Sequence, residues 1–396
     1  MITNSHLISG ETFISRNRLD TTQVFLSDDE INEKYNKGEI RIVTEQARYP
    51  LNSIEALLDS EKYIRNPEYQ RRKRWKNTRK SRLIESFIMN VPIPPIFLYE
   101  IDYSLYEVMD GQQRLTAIYD FYKGKFELEG LEYWQELNGR NYQNLPEQVQ
   151  KGIDRRYLSS IILLQETAKS KEEAEYLKQI VFERLNSGGE KLTAQETRNA
   201  LHNDKFNRLC IKLSENDPFR KMWNLPLESE GEDKLLESES YRKMEDVELV
   251  LRFFAYRHID NLKSPVDKFL DEYLKQANNY SDQTIENLEN IFQETIQLIY
   301  SILGDLAFIP PKGERDRKTP LKTIYDPMMQ VFANNIAHKE SLLRNKADIK
   351  SDLYSNKELL SIKEENNRLL FDGRYNNKKD VEARIEYFHN FLKNYI

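Results

Sequence analysis

Near residue 165 the hydrophobic pattern of this chain changes period, and that change limits the folds open to it. Before it, Ile96 to Tyr99 and Leu105 to Met109 read as two short strands joined by a polar turn, and Ser159 to Leu164 as another. Helical spacing appears between them. Leu83, Ile84, Phe87 and Ile88 repeat until Pro92-Ile93-Pro94-Pro95 stops the helix, and Leu115, Ile118, Tyr119 and Tyr122 repeat until Gly124. Asn52 with Glu55 three residues later predicts a capped helix before Ile54, Leu57 and Leu58. Beyond residue 165 the text is helical. Ser170 with Glu173 and Thr193 with Glu196 form capping patterns, and Val247, Val250, Leu251 and Phe254 recur at helical spacing, as do Ile285, Leu288, Phe292, Ile296 and Ile299. The predicted fold class is α+β, an α/β unit followed by a mainly α-helical one. The predicted divisions are an N-terminal arm over 1–45, a binding domain over 46–165 and a helical domain over 166–396.

Composition supports this. Only 13 glycines and 13 prolines in 396 residues disfavour a turn-dense β-sandwich or a glycine-looped dinucleotide sheet. One cysteine, Cys210, excludes an internal disulfide framework and a Cys-cluster zinc site, and fits a reducing cytoplasm. Its setting between Leu209 and Ile211 reads as a small buried hydrophobe, and Phe253, Phe254 and Tyr256 read as core. The five histidines are scattered, with no pair at ligand spacing. No basic-then-apolar leader appears, and no run approaches the roughly 20 apolar residues of a spanning helix. A cytoplasmic protein with no membrane partner is expected.

Charge is unevenly placed. The net charge is −6, yet Lys62 to Arg82 holds ten basic residues against Glu68 alone, a segment at +9 in a chain otherwise at −15. Within it, Arg72, Lys73, Arg74, Lys76, Arg79 and Lys80 are candidate contacts to a nucleic-acid backbone, which binds through such concentrated charge. A solvated basic face is the plainer reading for such a run. Trp75, inside it, reads as a packed anchor ahead of a base-stacking platform.

The signatures G-x-x-x-x-G-K-[ST], G-x-G-x-x-G, H-E-x-x-H and G-x-S-x-G are absent. The chemical signal is Val108-Met109-Asp110-Gly111-Gln112-Gln113-Arg114-Leu115, placed where a strand turns into a helix. A helix start offers N–H groups and a positive dipole end to an anion, and Gly111 permits close approach. Arg114 supplies a fork of donors for phosphate oxygens. Gln112 and Gln113 can hydrogen-bond phosphate, base or a water nucleophile, and Asp110 can hold a magnesium ion or orient that water. The alternative is structural: Asp110 caps the helix, Gly111 makes the turn and Arg114 is a surface cation. From the residues alone the two readings stand level.

Asp-Gly-Gln-Gln-Arg after a hydrophobic strand resembles the signature of the GmrSD-type N-terminal domain family, first catalogued as domain of unknown function 262. Three further segments agree in order. Tyr69-Gln70-Arg71 with Trp75 resembles an upstream Q-R-x-x-x-W element, Pro92-Ile93-Pro94 a P-I-P segment, and Phe182-x-Arg184-Leu185-Asn186-Ser187-Gly188-Gly189 followed by Leu192-Thr193-x-x-Glu196 and Arg198-Asn199-Ala200 a later stretch. Asp372-Gly373-Arg374 and Val381 to Ile385 match stand-alone members only in style. The resemblance implies a ParB/sulfiredoxin-like α/β domain that binds and hydrolyses a nucleoside triphosphate with Mg2+ in a bacterial anti-phage or restriction system acting with DNA. Carried over, Asp110, Gln112, Gln113 and Arg114 become catalytic, with Asp110 the metal residue. Gly111, Gln70, Arg71, Arg184 and Asn186 become nucleotide-binding walls. No His-x-x-Pro-type nuclease element is present, so cleavage is expected of a separate nuclease or defence-system subunit, and the chain is a candidate oligomer. The rival reading keeps the chain as a non-catalytic DNA-binding module that uses Lys62 to Arg82.

Overall fold

The computed structural model describes residues 7–14, 26–37, 42–65, 72, 75–164, 170–185, 192–263, 265–310, 319–355, 362, 369–371, 373 and 376–396. They fall into two units, 20–192 and 1–19 together with 193–396.

The first unit is built on a five-stranded mixed sheet in the order β1-β5-β3-β4-β2. The strands are β1 (Thr44–Pro50), β2 (Tyr63–Ile64), β3 (Ile96–Asp102), β4 (Leu105–Asp110) and β5 (Tyr157–Leu163). β3 and β4 form the expected hairpin, with Ser104 at φ +58° in its turn. β5 pairs parallel to β3 and antiparallel to β1. Helices α1 (Asp28–Lys37), α2 (Ile54–Asp59), α3 (Asn77–Ile88), α4 (Gln112–Tyr122), α5 (Glu147–Asp154) and α6 (Lys171–Leu185) complete it. Ile84 and Phe87 of α3, Leu115, Ile118 and Phe121 of α4, and Ile96, Leu98 and Ile162 of the sheet share one buried core, so the helical spacing read from the sequence faces inward. Asn90, at φ +57°, ends α3 before the proline run, and Gly124, at φ +66°, closes α4. The predicted Asn52–Glu55 cap does not form. Residues 51–53 make a single 3₁₀ turn, and Ser53 becomes the N-cap of α2 without a side-chain bond.

Glu85, 3% exposed on α3, accepts N–H bonds from Glu132, Tyr133 and Trp134 at 3.3, 2.7 and 2.9 Å. A single buried carboxylate thereby organises the loop after α4.

The division between units differs from the expected boundary near 165. Helix α6 belongs with the sheet, because Lys178 pairs with Glu107 of β4 and Leu177 and Phe182 are buried. Its predicted cap forms, with Ser170 Oγ accepting the Glu173 N–H at 3.2 Å.

The second unit is helical among its described residues. Its longer helices are α7 (Ala194–Leu201), α8 (Lys205–Ser214), α9 (Glu245–Tyr256), α10 (Val266–Ala277), α11 (Asp282–Leu303), α12 (Lys322–Asn334), α13 (Lys346–Ser355) and α14 (Lys378–Leu392). One core joins Phe206, Cys210, Phe253, Phe254, Phe292, Ile299, Tyr325 and Phe388. Cys210 is fully enclosed and burial pushes its thiol pKa up, as expected of a packing residue. Arg252 is caught between Asp326 and the Tyr256 hydroxyl inside this core.

The N-terminal arm is not one piece. Residues 7–14 belong to the helical unit, whereas α1 groups with the sheet. Phe13 is 7% exposed and packs edge-on against Phe269 and Tyr273, and Glu11, 4% exposed, meets Arg257 Nε at 2.7 Å and Nη2 at 2.8 Å. Burial pushes the Glu11 carboxyl up, but the bonded Arg257 guanidinium and the nearby His258 outweigh it and hold its pKa at about 2.

Candidate functional site

β4 lies inside the sheet beside β3 and ends at Asp110, so the chain leaves the sheet there and enters α4 within one residue. That residue is Gly111, at φ +91° and ψ 9°, a left-handed conformation that side-chain-bearing residues rarely adopt. Space demands glycine as well. A Cβ at this position would lie 2.4 Å from Ile96 Cγ2 and 2.9 Å from Arg114 Nη2.

Asp110 does not cap α4. Its Oδ2 accepts from Arg114 Nη2 at 2.8 Å, and the same Nη2 donates to the Pro95 carbonyl at 3.2 Å. The Arg114 side chain is 16% exposed and that of Asp110 46%, so Arg114 is a held group rather than a surface cation. Gly111, the N-cap, makes no side-chain cap bond, which leaves the first N–H groups of α4 without side-chain partners from the cap. Gln113 Oε1 accepts the Trp75 main-chain N–H at 3.1 Å, joining the approach to α3 to this turn. Gln112 is buried at 6% exposure. Among the described residues, the buried atoms Gln113 Nε2, Arg114 Nε and Thr116 Oγ1 lack hydrogen-bond partners. Three unpartnered polar atoms within one helical turn are unusual, because such atoms inside proteins are nearly always satisfied by protein, water or ligand. Thr116 was not singled out from the sequence. Its signal was position, since it follows Gln112 by four residues and Gln113 by three and so shares their helix face.

The expected walls of the site are placed less completely. Gln70, Arg71 and Asn186 lie outside the described residues, as do Lys73 and Arg74. Arg184 is exposed in the last turn of α6.

The basic segment is reshaped. Arg72 is 1% exposed and Lys80 is paired with Asp120 at 2.8 Å with its side chain 14% exposed, so neither offers the exposed cation that a nucleic-acid backbone needs. These placements correct the expectation for both. Lys76 and Arg79 are exposed, with the Arg79 guanidinium 4.5 Å above the Trp75 ring. Trp75 is partly buried against the core, as an anchor would be.

The later stretch of the resemblance has a structural occupation. Thr193 and Glu196 form a reciprocal capping box at the start of α7, and Thr193 Oγ1 also donates to the Lys243 carbonyl at 3.0 Å. Arg198, 2% exposed, reaches Asp271 at 2.6 Å, Asp267 at 3.3 Å and Glu248 at 3.4 Å. Asn199 accepts from Asn207 Nδ2 at 2.8 Å.

Among the described residues, no three His, Cys, Asp or Glu side chains gather as a protein-made metal cage requires. No helix among them is long and apolar enough to cross a membrane. The chain matches no curated protein and no solved structure. Residues 54–203 match the family described as GmrSD restriction endonuclease, N-terminal domain. The match begins at α2, takes in the Asp110 to Arg114 turn and ends just beyond α7. Residues 54–203 of this chain are therefore a GmrSD-type N-terminal domain.

Proposed function

We propose that this chain is a nucleoside triphosphate-binding and hydrolysing regulator of a restriction-type defence system, acting with DNA in the cytoplasm beside a separate nuclease. The family match supports the restriction-type assignment. The observation that carries the nucleotide reading is the strand-to-helix turn at Gly111, where an uncapped helix start sits among unpartnered buried polar atoms of Gln113, Arg114 and Thr116. A polyphosphate would satisfy those donors, with the helix dipole and the Arg114 fork opposing its charge.

Asp110 suits a magnesium ion, which is commonly bound through one or two carboxylates together with substrate phosphates and water. Bound there, the ion would supply charge neutralisation between phosphate groups. The protein's own part is to position. Gly111 lets the phosphate approach the main chain, Arg114 exchanges its bond to Asp110 for phosphate oxygens, and Gln112 and Gln113 orient the attacking water. Gln70, Arg71, Arg184 and Asn186 are proposed as the remaining walls.

Thermal-shift and calorimetric titration with ATP, GTP, CTP and UTP plus magnesium tests this. At least one nucleotide should raise the melting temperature and release phosphate, and Arg114→Ala should abolish the release. Absence of binding for all four defeats the reading. DNA contact is proposed for Lys76 and Arg79 on the exposed start of α3, with Lys73 and Arg74 preceding them. Neutralising Lys76 and Arg79 should weaken DNA binding and flatten its salt dependence.

A further inference from the structure

Residues 8–14 are held by the helical unit in a way that differs from the rest of its core. Ser9 and Gly10 make a tight turn, with the Glu11 N–H donating to the Ile8 carbonyl at 3.1 Å and Glu11 Oε2 accepting the Ile8 N–H at 3.2 Å. Among the described residues, that is the segment's one main-chain to main-chain bond. From Thr12 onward the extended backbone is bonded by side chains of the unit. Tyr280 Oη donates to the Thr12 carbonyl at 2.7 Å and Asn261 Nδ2 to the Phe13 carbonyl at 3.1 Å. The Gln276 amide grips Ile14 at both ends, accepting its N–H at 3.1 Å and donating to its carbonyl at 2.9 Å.

Side chains alternate as on any extended strand. Glu11 and Phe13 point inward, while Thr12 and Ile14 are exposed. The inward pair enters two pockets of different chemistry. Glu11 meets the Arg257 guanidinium with two bonds, and His258 Nε2 lies 3.3 Å from its Oε1. Phe13 fills an aromatic pocket made by His258, Phe269 and Tyr273, at centroid distances of 5.5 to 5.8 Å. Gly10 is required too. It stands at φ +83°, and a Cβ would lie 2.5 Å from Thr284 Oγ1.

Side-chain amides bonded to a peptide's main chain, with pockets for alternate side chains, are the means by which proteins bind extended peptides. We propose that the helical unit is a receptor for an extended Gly-Glu-x-Phe peptide, and that residues 8–14 are its resident ligand, bound in cis. Main-chain bonds from Tyr280, Asn261 and Gln276 supply sequence-independent affinity. The Arg257–His258 pocket selects the acid, and the aromatic pocket selects the ring. A covalently attached segment competes with any peptide in trans, so the intact chain should refuse the same peptide added in solution.

The full chain, with a specific protease site inserted between Asp20 and Thr21, is purified folded and then cut. The N-terminal fragment should remain associated on gel filtration. A fluorescent peptide copying residues 7–14 should then exchange into the cut protein saturably but not into the uncut one. A peptide carrying the E11Q and F13A changes should bind about 100-fold more weakly or worse, the loss expected when a buried ion pair loses a member. If the insertion resists cleavage, the full-length chain bearing E11Q and F13A takes its place, and the wild-type peptide should bind it and raise its melting temperature. No uptake by the cut chain, or by the substituted chain where that is used, overturns the proposal, as does equal uptake of wild-type and changed peptides.

Discussion

Two residues set the character of their surroundings, one through geometry and one through charge. Gly111 stands where φ is positive and where a methyl group would meet Ile96 and Arg114, so Gly111→Ala is expected to cost roughly 1–3 kcal/mol through strain alone. Chemical denaturation would show the loss, and nucleotide titration of the same variant should show weakened binding, because the turn that presents the α4 N–H groups has moved. Glu11 acts through charge. Its folded pKa of about 2 lies below the ordinary 4.5, so its stabilisation is present above pH 4.5 and is lost as pH falls toward 2. The acid-dependent part amounts to ~3 kcal/mol by linkage, and it should vanish from the stability-versus-pH profile of Glu11→Gln, which starts from a lower stability. The residues of the Asp110 to Arg114 turn were legible in the sequence because strand, glycine and helical spacing meet there within six positions. The Pro95 carbonyl is not, since it belongs to the site only through folding, whereas Thr116 is placed by its helical spacing from Gln112 and Gln113. Arg72 and Lys80 differ from expectation for the complementary reason: charge is visible in a sequence, but the burial of Arg72 and the pairing of Lys80 with Asp120 are not.

Elements show the same division between local and distant causes. The β3–β4 hairpin, the stop of α3, the closure of α4 and the caps at Ser170 and Thr193 follow from neighbours in the chain and are legible there. β1 escaped. Thr44 to Pro50 is polar and mostly exposed, and its place at the sheet edge comes from pairing with β5, over a hundred residues away in sequence. The attachment of α6 to the sheet was likewise hidden, because the Lys178–Glu107 pair spans 71 residues. Glu85 gives an element-scale test. Glu85→Ala removes the acceptor from three N–H groups, so amide exchange at Glu132, Tyr133 and Trp134 should accelerate markedly while the α4 amides stay protected. Arg198→Ala leaves Glu248, Asp267 and Asp271 facing one another. It should destabilise the helical unit by about 1–3 kcal/mol, read from its denaturant midpoint, because the carboxylates lose a charged donor while Asp267 and Asp271 stay open to solvent and Glu248 keeps Lys322.

Among the described residues there are two hydrophobic cores, one drawn from residues 51–162 and the other from Phe13 and 206–392. Two cores predict calorimetric unfolding that departs from a single two-state transition, and Glu11→Gln should lower only the component belonging to the helical unit. The course of the chain through these units also bears on its birth. Glu11 is made early and its partner Arg257 follows 246 residues later, an interval of roughly 10–50 s at ordinary rates of synthesis. During that interval the sheet unit can emerge whole and fold, while the segment ahead of it has nowhere to go. The nascent chain thus carries an unoccupied Gly-Glu-x-Phe strand until Arg257 has been made.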